Sequence, residues 1–345
     1  MKAIILKIYR AVKTEIKDIC NFFKLFRFLK EPSYYPERKR KNFFHRFVDN
    51  AVWLFKNHEI NKFYNLYGLD IADSKYKSKE FLPYRKFMNE RNSVNDYREC
   101  NSLRDKFVFY TLLNTVNIKT PKVHALIEKT KGSVNLLYGD LNKSGDYFLK
   151  CIDGECADGV HHLKRVDDIY LETIKDGTYI LQERITQSEE ISRINSHAIN
   201  TLRSVTYRDN EGEIRVLLSV MRIGNLTSGH VDNWAAGGYC VPVSNQGILH
   251  KYGFQKIQWA KKTTIHEDSG FVFEGYQLED YNKAIELAVK AHKLFKKVKF
   301  IGWDIAFTED GPMLIEGNDN FEISLMQIDN PIKEKWQNIM KVKSS

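Results

Sequence analysis

Three oxygen-bearing side chains stand close together in "IGWDIAFTEDGPMLIEGNDNFE", residues 301–322: Asp304, Glu316 and Asn318. They lie inside two short apolar runs. Ile301, Trp303, Ile305 and Phe307 alternate with Gly302, Asp304, Ala306 and Thr308, while Met313, Leu314 and Ile315 precede Glu316. The stretch therefore reads as a β-hairpin turned at "TEDGP". On so tight a hairpin Asp304 comes roughly opposite Glu316, and Asn318, two residues further on, shares that face. Two carboxylates aimed at one point repel each other in a half-buried sheet, and a hard divalent cation removes the cost. Magnesium takes carboxylate and amide oxygens and shares its shell with substrate phosphates, so the triplet suggests a magnesium–nucleotide site. A solvated face that merely keeps the hairpin soluble is the competing reading.

Other residues supply what a nucleotide needs. Lys150 ends the strand-like "YFLK" and faces "IDGECADGV", where Gly154 and Gly159 free a loop to fold over phosphates and donate to them from its backbone N–H groups. No GKS or GKT follows, so this is not a Walker loop. The strand "TYILQERI" ends in Gln182, Glu183 and Ile185, where backbone beside an acceptor would read an adenine amino group; Glu190 then reaches toward a ribose hydroxyl. Arg203 of "NTLRSV" enters a strand interior and needs a charged partner there. A γ-phosphate, an acyl phosphate or a structural ion pair would each serve. His161, His162 and His230 read as neutral loop histidines rather than catalytic bases, and Trp303 as a core residue.

The elements that must position these groups alternate from about residue 100 onward. A helix is expected over about 102–114, with Asp105 and Lys106 near its start, followed by a short strand after Pro121. "YFLKCIDGECADGVHHL" reads as strand, loop, strand. "HAINTLRSVTYRDNEGEIRVLLSVMRIG" reads as a hairpin closed at "DNEG", and "EDYNKAIELAVKAHKLFKK" as an amphipathic helix. An α+β enzyme domain follows from that alternation.

The chain has 345 residues, 43% of them hydrophobic, enough for one large or two to three small domains with cores of their own. No run of 18 uncharged apolar residues occurs, and charge breaks the N-terminal segment every few residues, which argues against a spanning helix and a signal peptide. The five cysteines, at 20, 100, 151, 156 and 240, show no CxxC spacing, so neither disulfides nor a zinc framework is expected, and the expected location is the cytoplasm. Of the net charge of +9, an excess of eight lies in residues 1–60, with 14 Lys and Arg against 6 Asp and Glu. The nearly neutral remainder argues against a nucleic-acid groove, and "RKRK" at 38–41 reads as a solvated run. Residues 1–95 read as a basic helical region with "EPSYYPERKRK" as a linker. Its stripe of Ile5, Ile8, Val12, Ile16, Ile19, Phe23 and Phe26 fits either an anionic membrane surface or a packing interface.

Taken in order, Asp-Lys, Lys plus glycine loop, Gln-Glu-x-Ile, Asp, then Glu-x-Asn resemble the ATP-grasp superfamily. "HAINTLRSVTY", "HEDSG" and "IGWDIAFTEDGPMLIEGND" resemble its sugar-transfer-associated branch, found with polysaccharide-building enzymes such as those for capsules and O-antigens. The resemblance covers roughly 95–325. It implies an α+β ATP-grasp fold, two subdomains clamping ATP, after the N-terminal region: a catalytic domain over 96–345, with a lid at about 120–182 and a metal-binding subdomain at about 183–330. Carried over by motif, Lys106 and Lys150 hold ATP phosphates, with Arg203 and Lys150 in catalysis. Gln182, Glu183 and Ile185 hold the adenine, Glu190 the ribose, and Asp304, Glu316 and Asn318 one or two Mg²⁺ ions, with Mn²⁺ as substitute. Asn233, Gly237 and Gly238 resemble a substrate-side loop, for which a surface turn is the alternative. "DGECADGV" is poorer in glycine than many lids of the family.

The resemblance implies an ATP-dependent carboxylate–amine ligase that passes through an acyl phosphate. The expected substrate is a small molecule or glycan precursor, a sugar-linked acid such as a uronic acid, joined to an amino acid or small amine. An ATP-dependent sugar kinase of the same fold, and a non-catalytic nucleotide-binding partner of a glycosyltransferase, remain as alternatives. Residues 1–60 are expected to contact an anionic membrane, at its inner face, or a glycosyltransferase.

Overall fold

The computed structural model describes residue 15 and residues 17–131, 133–141, 145–154, 160–164, 173–228 and 234–341. The chain divides into two compact units: Met1–Asn92, Phe254–Lys262 and Glu322–Ser345 form one, and Ser93–Gly253 with Thr263–Phe321 the other. The first unit thus gathers residues from both ends of the chain. Among the described residues no helix is long and apolar enough to cross a membrane.

In the first unit, residues 17–28 form helix α1, and α2 spans Phe43–Asn57. Asn42 caps α2 by accepting from the His45 backbone N–H, and His58 ends it in the left-handed conformation. α3 (Tyr84–Val94) and α8 (Lys333–Met340) complete its helices. Tyr67 stacks on Phe81 with ring centroids 4.3 Å apart, and the buried Gln327 side chain accepts from the Leu82 N–H and donates to the Leu82 carbonyl. Both backbone groups of a buried turn are thereby satisfied.

The second unit begins with α4 (Tyr97–Arg104) and α5 (Lys106–Thr115). The single helix expected over 102–114 is two. Asp105 lies between them with extended backbone, and its side chain accepts from the N–H groups of Phe107 and Val108, capping the second helix. A five-stranded sheet follows, ordered β2-β1-β5-β3-β4, from β1 (Val123–Thr130), β2 (Ser133–Gly139), β3 (Tyr147–Cys151), β4 (Val160–Leu163) and β5 (Gly177–Glu183). After the short α6 (Glu189–Ser192) comes a seven-stranded sheet ordered β10-β9-β8-β7-β6-β11-β12. Its strands are β6 (Thr201–Arg208), β7 (Ile214–Ile223), β8 (Tyr239–Val243), β9 (Gly253–Phe254), β10 (Lys262–Thr263), β11 (Phe300–Thr308) and β12 (Gly311–Asn318). The amphipathic α7 (Tyr281–His292) sets Ala284, Ala288 and Ala291 into a core with Leu202, Trp303, Ile305 and Leu314. That core covers one face of the large sheet. A polar chain runs through it: the Trp303 indole donates to Thr206 Oγ1 at 2.7 Å, Thr206 Oγ1 lies 2.6 Å from His292 Nδ1, and His292 Nε2 donates to the Val298 carbonyl.

Candidate functional site

The opposite face of the large sheet carries the acidic residues. β11 and β12 form the expected hairpin: Thr308 pairs with Gly311 across the turn, and Gly311 takes φ +95°, where its missing Cβ matters. Ile305 pairs with Leu314, but Asp304 pairs with Glu316, so Ile315 is one residue too many and forms a β-bulge. The bulge reverses the alternation and sets the two carboxyl groups side by side. Asn318 donates to Glu316 Oε1 at 3.1 Å. Gly317 between them is required by packing: a Cβ there would meet Trp303 Cζ3 at 2.8 Å and Leu103 Cδ2 at 2.9 Å.

Asp304 is buried and met by two guanidinium groups. Arg203, its partner on β6, binds both carboxylate oxygens, with Nη2 at 2.8 Å from Oδ2 and Nε on Oδ1; Arg222 of β7 adds Nη1 at 2.9 Å from Oδ2. Burial pushes the Asp304 carboxyl upward, but Arg203 and Arg222 outweigh it and hold it well below the ordinary range. Glu316 is half-buried. Desolvation and the neighbouring Asp304 charge push its carboxyl up. The pair is therefore asymmetric, with a firmly ionised Asp304 beside a Glu316 short of positive charge.

A further cation comes from the other sheet. Lys150 on β3 donates to Gln182 Oε1 at 2.7 Å, and Gln182 in turn donates to the Pro121 carbonyl. Burial lowers the Lys150 ammonium to about 8, with Glu316 pulling it back up and Lys106 pushing it down, so the three groups feel one another's charge. Lys106, in the first turn of α5, donates to the Gly154 carbonyl at 2.6 Å and to that of Ile152, and so holds the start of the loop after β3. Ile185, Ala306 and Met313 make a small apolar cluster with Ile199 and Ile315. Ala306 and Met313 share the sheet face of Asp304, so a charged cluster and an apolar patch adjoin.

Several expected residues are engaged in other ways. Arg203 is ion-paired with Asp304. Glu183 accepts from the Lys122 N–H at 2.9 Å. Glu190 accepts from Tyr276 Oη at 3.0 Å and from the Glu279 N–H, which ties it to the 276–279 turn. Gly237, at φ +108°, accepts from Asn225 Nδ2 at 2.8 Å, and Gly238 leads into β8. Gly159 and Asn233 lie outside the described residues.

Sequence reasoning gave no structural role to three contributors. Arg222 is one, hidden in "VMRIG". The second is "HEDSG", quoted above only as a family motif, which acts as a brace: His266 Nε2 donates to the Gly224 carbonyl at 2.8 Å, and Asp268 accepts from the Leu226 N–H, holding the end of β7 and the turn after it. The third is Arg104, bidentate on the buried Asp319 at 2.8 and 2.7 Å, which fastens α4 beside Asn318. A charge opposite each acidic residue was the only signal for these partners, and it lies far away in sequence.

Residues 169–341 match the model of the family described as sugar-transfer associated ATP-grasp. The chain belongs to that family. The matched span holds Gln182, Arg203, Arg222 and all three of Asp304, Glu316 and Asn318, while Lys106 and Lys150 precede it. Among solved structures, N5-carboxyaminoimidazole ribonucleotide synthetase from Thermotoga maritima is 16% identical with a TM-score of 0.39, over 66% of this chain and 44% of that one. D-alanine–D-alanine ligase from Coxiella burnetii is 11% identical, TM-score 0.38, over 65% of this chain and 50% of that one. N5-carboxyaminoimidazole synthase from Aspergillus clavatus, in complex with ADP and 5-aminoimidazole ribonucleotide, is 14% identical, TM-score 0.40, over 71% and 52%. The chain thus spans about half the length of these structures. No curated protein matches it.

The residue types suit a divalent ion, while both Asp304 oxygens accept from Arg203 and Arg222 and Asn318 turns its Nδ2 to Glu316. Among the described residues no group of three or more His, Cys, Asp or Glu side chains could hold a metal, and the set here is two carboxylates and an amide. Each of the three carries hard oxygen atoms, and Glu316 is the carboxyl that lacks a full counter-charge.

Proposed function

We propose that this ATP-grasp protein is an ATP-dependent carboxylate–amine ligase acting on a sugar-linked acid. One observation carries the reading. A single face of the large sheet sets the Asp304–Glu316 pair beside the apolar Ile185–Ala306–Met313 patch, with Lys150 acting on Glu316 from the small sheet. That is the charge and polarity pattern of a nucleotide-binding surface, apolar where the base lies and cationic where the phosphates lie.

In this reading the base lies on the apolar patch. Asp304, Glu316 and Asn318 would hold Mg²⁺, which supplies neutralisation of phosphate charge when bound. Lys150 and Lys106 then face the phosphates. Phosphoryl transfer needs positioning and charge neutralisation more than a protein nucleophile. A carboxylate oxygen of the acid attacks the γ-phosphorus, the bond to the bridging oxygen breaks, and ADP leaves. An amine nitrogen next attacks the acyl carbon of the resulting acyl phosphate, expels phosphate and loses a proton. Arg203 and Arg222 hold the Asp304 carboxyl well below the ordinary range, so it is a poor base for that proton.

The family's association with sugar transfer supports a glycan precursor as the acid. Incubation with ATP, Mg²⁺ and a panel of uronic acids and amines, with products identified by mass spectrometry, tests this. An amide product with ADP and phosphate is expected. A phosphorylated sugar would replace ligase by kinase, and the absence of any ATP-dependent product would leave a nucleotide-binding partner of a glycosyltransferase.

A further inference from the structure

The first unit exposes apolar side chains in a pattern that folding within the described residues covers only in part. On α2, the residues that face inward are Asn50, Trp53 and Leu54. On another face Phe44, Val48, Val52 and Phe55 recur at four, four and three residues, forming a second apolar stripe that stays exposed. Phe44, Val52 and Phe55 are 69%, 60% and 54% exposed. α1 repeats the pattern with Ile19, Phe23 and Phe26. The two helices meet through Phe22 against Phe47, at 5.5 Å between centroids, and Phe26 against Phe43, at 6.4 Å. Their exposed stripes belong to one helical pair. A contiguous apolar surface of this kind is a contact surface.

A basic cavity adjoins it. About 460 Å³ in volume, it is lined by Lys41, Lys56, Lys77, Lys79 and Lys333, with Asp49 as its one carboxylate. Asp49 is already matched, since Lys41 Nζ lies 2.8 Å from it and Tyr64 donates to it at 2.7 Å. The other four lysines of the wall, Lys56, Lys77, Lys79 and Lys333, have no carboxylate of that wall to balance them. Lys333 donates to the Lys79 carbonyl at 2.8 Å, and burial followed by the charges of Lys86 and Lys56 lowers its amine below the ordinary value. Val52 and Trp53 also line the cavity, so its rim is continuous with the α2 stripe. The Trp53 indole Nε1, buried in that wall, finds no acceptor among the described residues.

We propose that this unit docks on an anionic phospholipid surface, with the α1 and α2 stripes entering the headgroup boundary and the lysine-lined cavity receiving a phosphate-bearing headgroup. Charge complementarity selects this occupant. A protein partner would need a matched apolar face with acids placed opposite each lysine, whereas an anionic bilayer offers both an apolar interior and a field of phosphates without any matching. The excess of eight positive charges in residues 1–60 acts in the same direction.

The test uses the full chain in a flotation assay with vesicles of phosphatidylcholine alone and of phosphatidylcholine with phosphatidylglycerol. Flotation only with the anionic vesicles, weakening as salt is raised, is expected. Phe44→Ser with Val48→Ser and Val52→Ser spares Phe55, whose ring packs on Phe22 at 5.9 Å, and changes exposed side chains only, so the melting transition should stay while flotation is lost; Phe44→Ser alone is the milder variant. Lys56→Ala with Lys77→Ala and Lys79→Ala should lower the partition coefficient roughly a hundredfold, about fivefold for each lysine. Failure of the wild-type chain to float with anionic vesicles at low salt overturns the proposal. So does flotation untouched by both triple variants. Self-association by sedimentation that the serine variant abolishes, with no vesicle binding, would make the stripe an interface between copies of the chain and equally refute it.

Discussion

Lys150 offers the sharpest test of the nucleotide site because its charge state is set by its surroundings. Its ammonium falls from 10.5 to about 8, through burial chiefly, with Glu316 opposing and Lys106 adding to the fall. Such a change corresponds to about 3 kcal/mol of unfavourable charging. A triphosphate beside Lys150 supplies the negative charge that the site lacks, so the ammonium regains much of that energy in the complex. The sign follows directly. Below about pH 8 the free protein already carries the proton and affinity is independent of pH; above it, binding must take up a proton, and the dissociation constant rises roughly tenfold for each further pH unit until the complex itself titrates. Without nucleotide, the unfolded chain binds more protons than the folded one between 8 and 10.5. Stability therefore gains with pH across that window. Isothermal titration with a non-hydrolysable ATP analogue, repeated in buffers of different ionisation enthalpy, reads both affinity and proton uptake. Lys150→Met conserves length and removes the charge. It should weaken binding by roughly tenfold to a hundredfold near neutrality, from about 1.5–3 kcal/mol for a charge-assisted contact, and flatten the pH profile. An affinity of the wild-type protein that stays constant up to about pH 10, or an unchanged slope in Lys150→Met, would refute the reasoning.

Glu316→Gln should abolish ATP-dependent turnover and Mn²⁺ binding followed by electron paramagnetic resonance, yet leave the melting temperature equal or higher, because it neutralises the carboxyl that burial and Asp304 disfavour. Arg222→Met leaves the buried Asp304 with Arg203 alone and should cost about 3 kcal/mol in urea denaturation, the range for breaking one side of a buried ion pair. His292 is held neutral in the core, its imidazole lowered from 6.5 to about 4 by burial. Since the unfolded chain takes up that proton first, stability should fall as pH drops from 6.5 to about 4, by at most about 3 kcal/mol, and His292→Gln should remove that component from a series of melts. Gly317→Ala should destabilise by about 1–3 kcal/mol and raise the metal concentration needed for activity, because the added Cβ presses on Trp303 and Leu103 while its neighbours are Glu316 and Asn318.

Local pattern in the sequence determined a great deal of this. Alternating apolar residues around "TEDGP" made a hairpin of 301–318, and the Gln-Glu-x-Ile strand, the hairpin closed at "DNEG" and the helix before residue 300 follow from periodicities of two and 3.6 that any water-soluble chain must respect. The order of the motifs carried the family. What periodicity does not contain is a change of phase. A regular pairing from the turn would set Ile315 against Asp304 and turn Glu316 toward Trp303; the bulge at Ile315 reverses this. The same device acts on β6 and β7, where Val205 pairs with Leu218 but Thr206 with Val216, so that Leu217 is extra and Arg222 comes to the face of Arg203 instead of the opposite one. One inserted residue flips every side chain beyond it, and whether it is tolerated depends on what packs behind. Here Leu314 and Ile305 remain in the core while the residues past the bulge change sides. Tertiary structure alone decided the remaining partners. Lys150 acts on Glu316 from a different sheet, and the cap at Asp105 breaks one expected helix so that Lys106 begins the next and reaches the Gly154 carbonyl. Charge, unlike hydrophobic period, is satisfied through space, and the chain separation of each partner leaves no trace in local sequence.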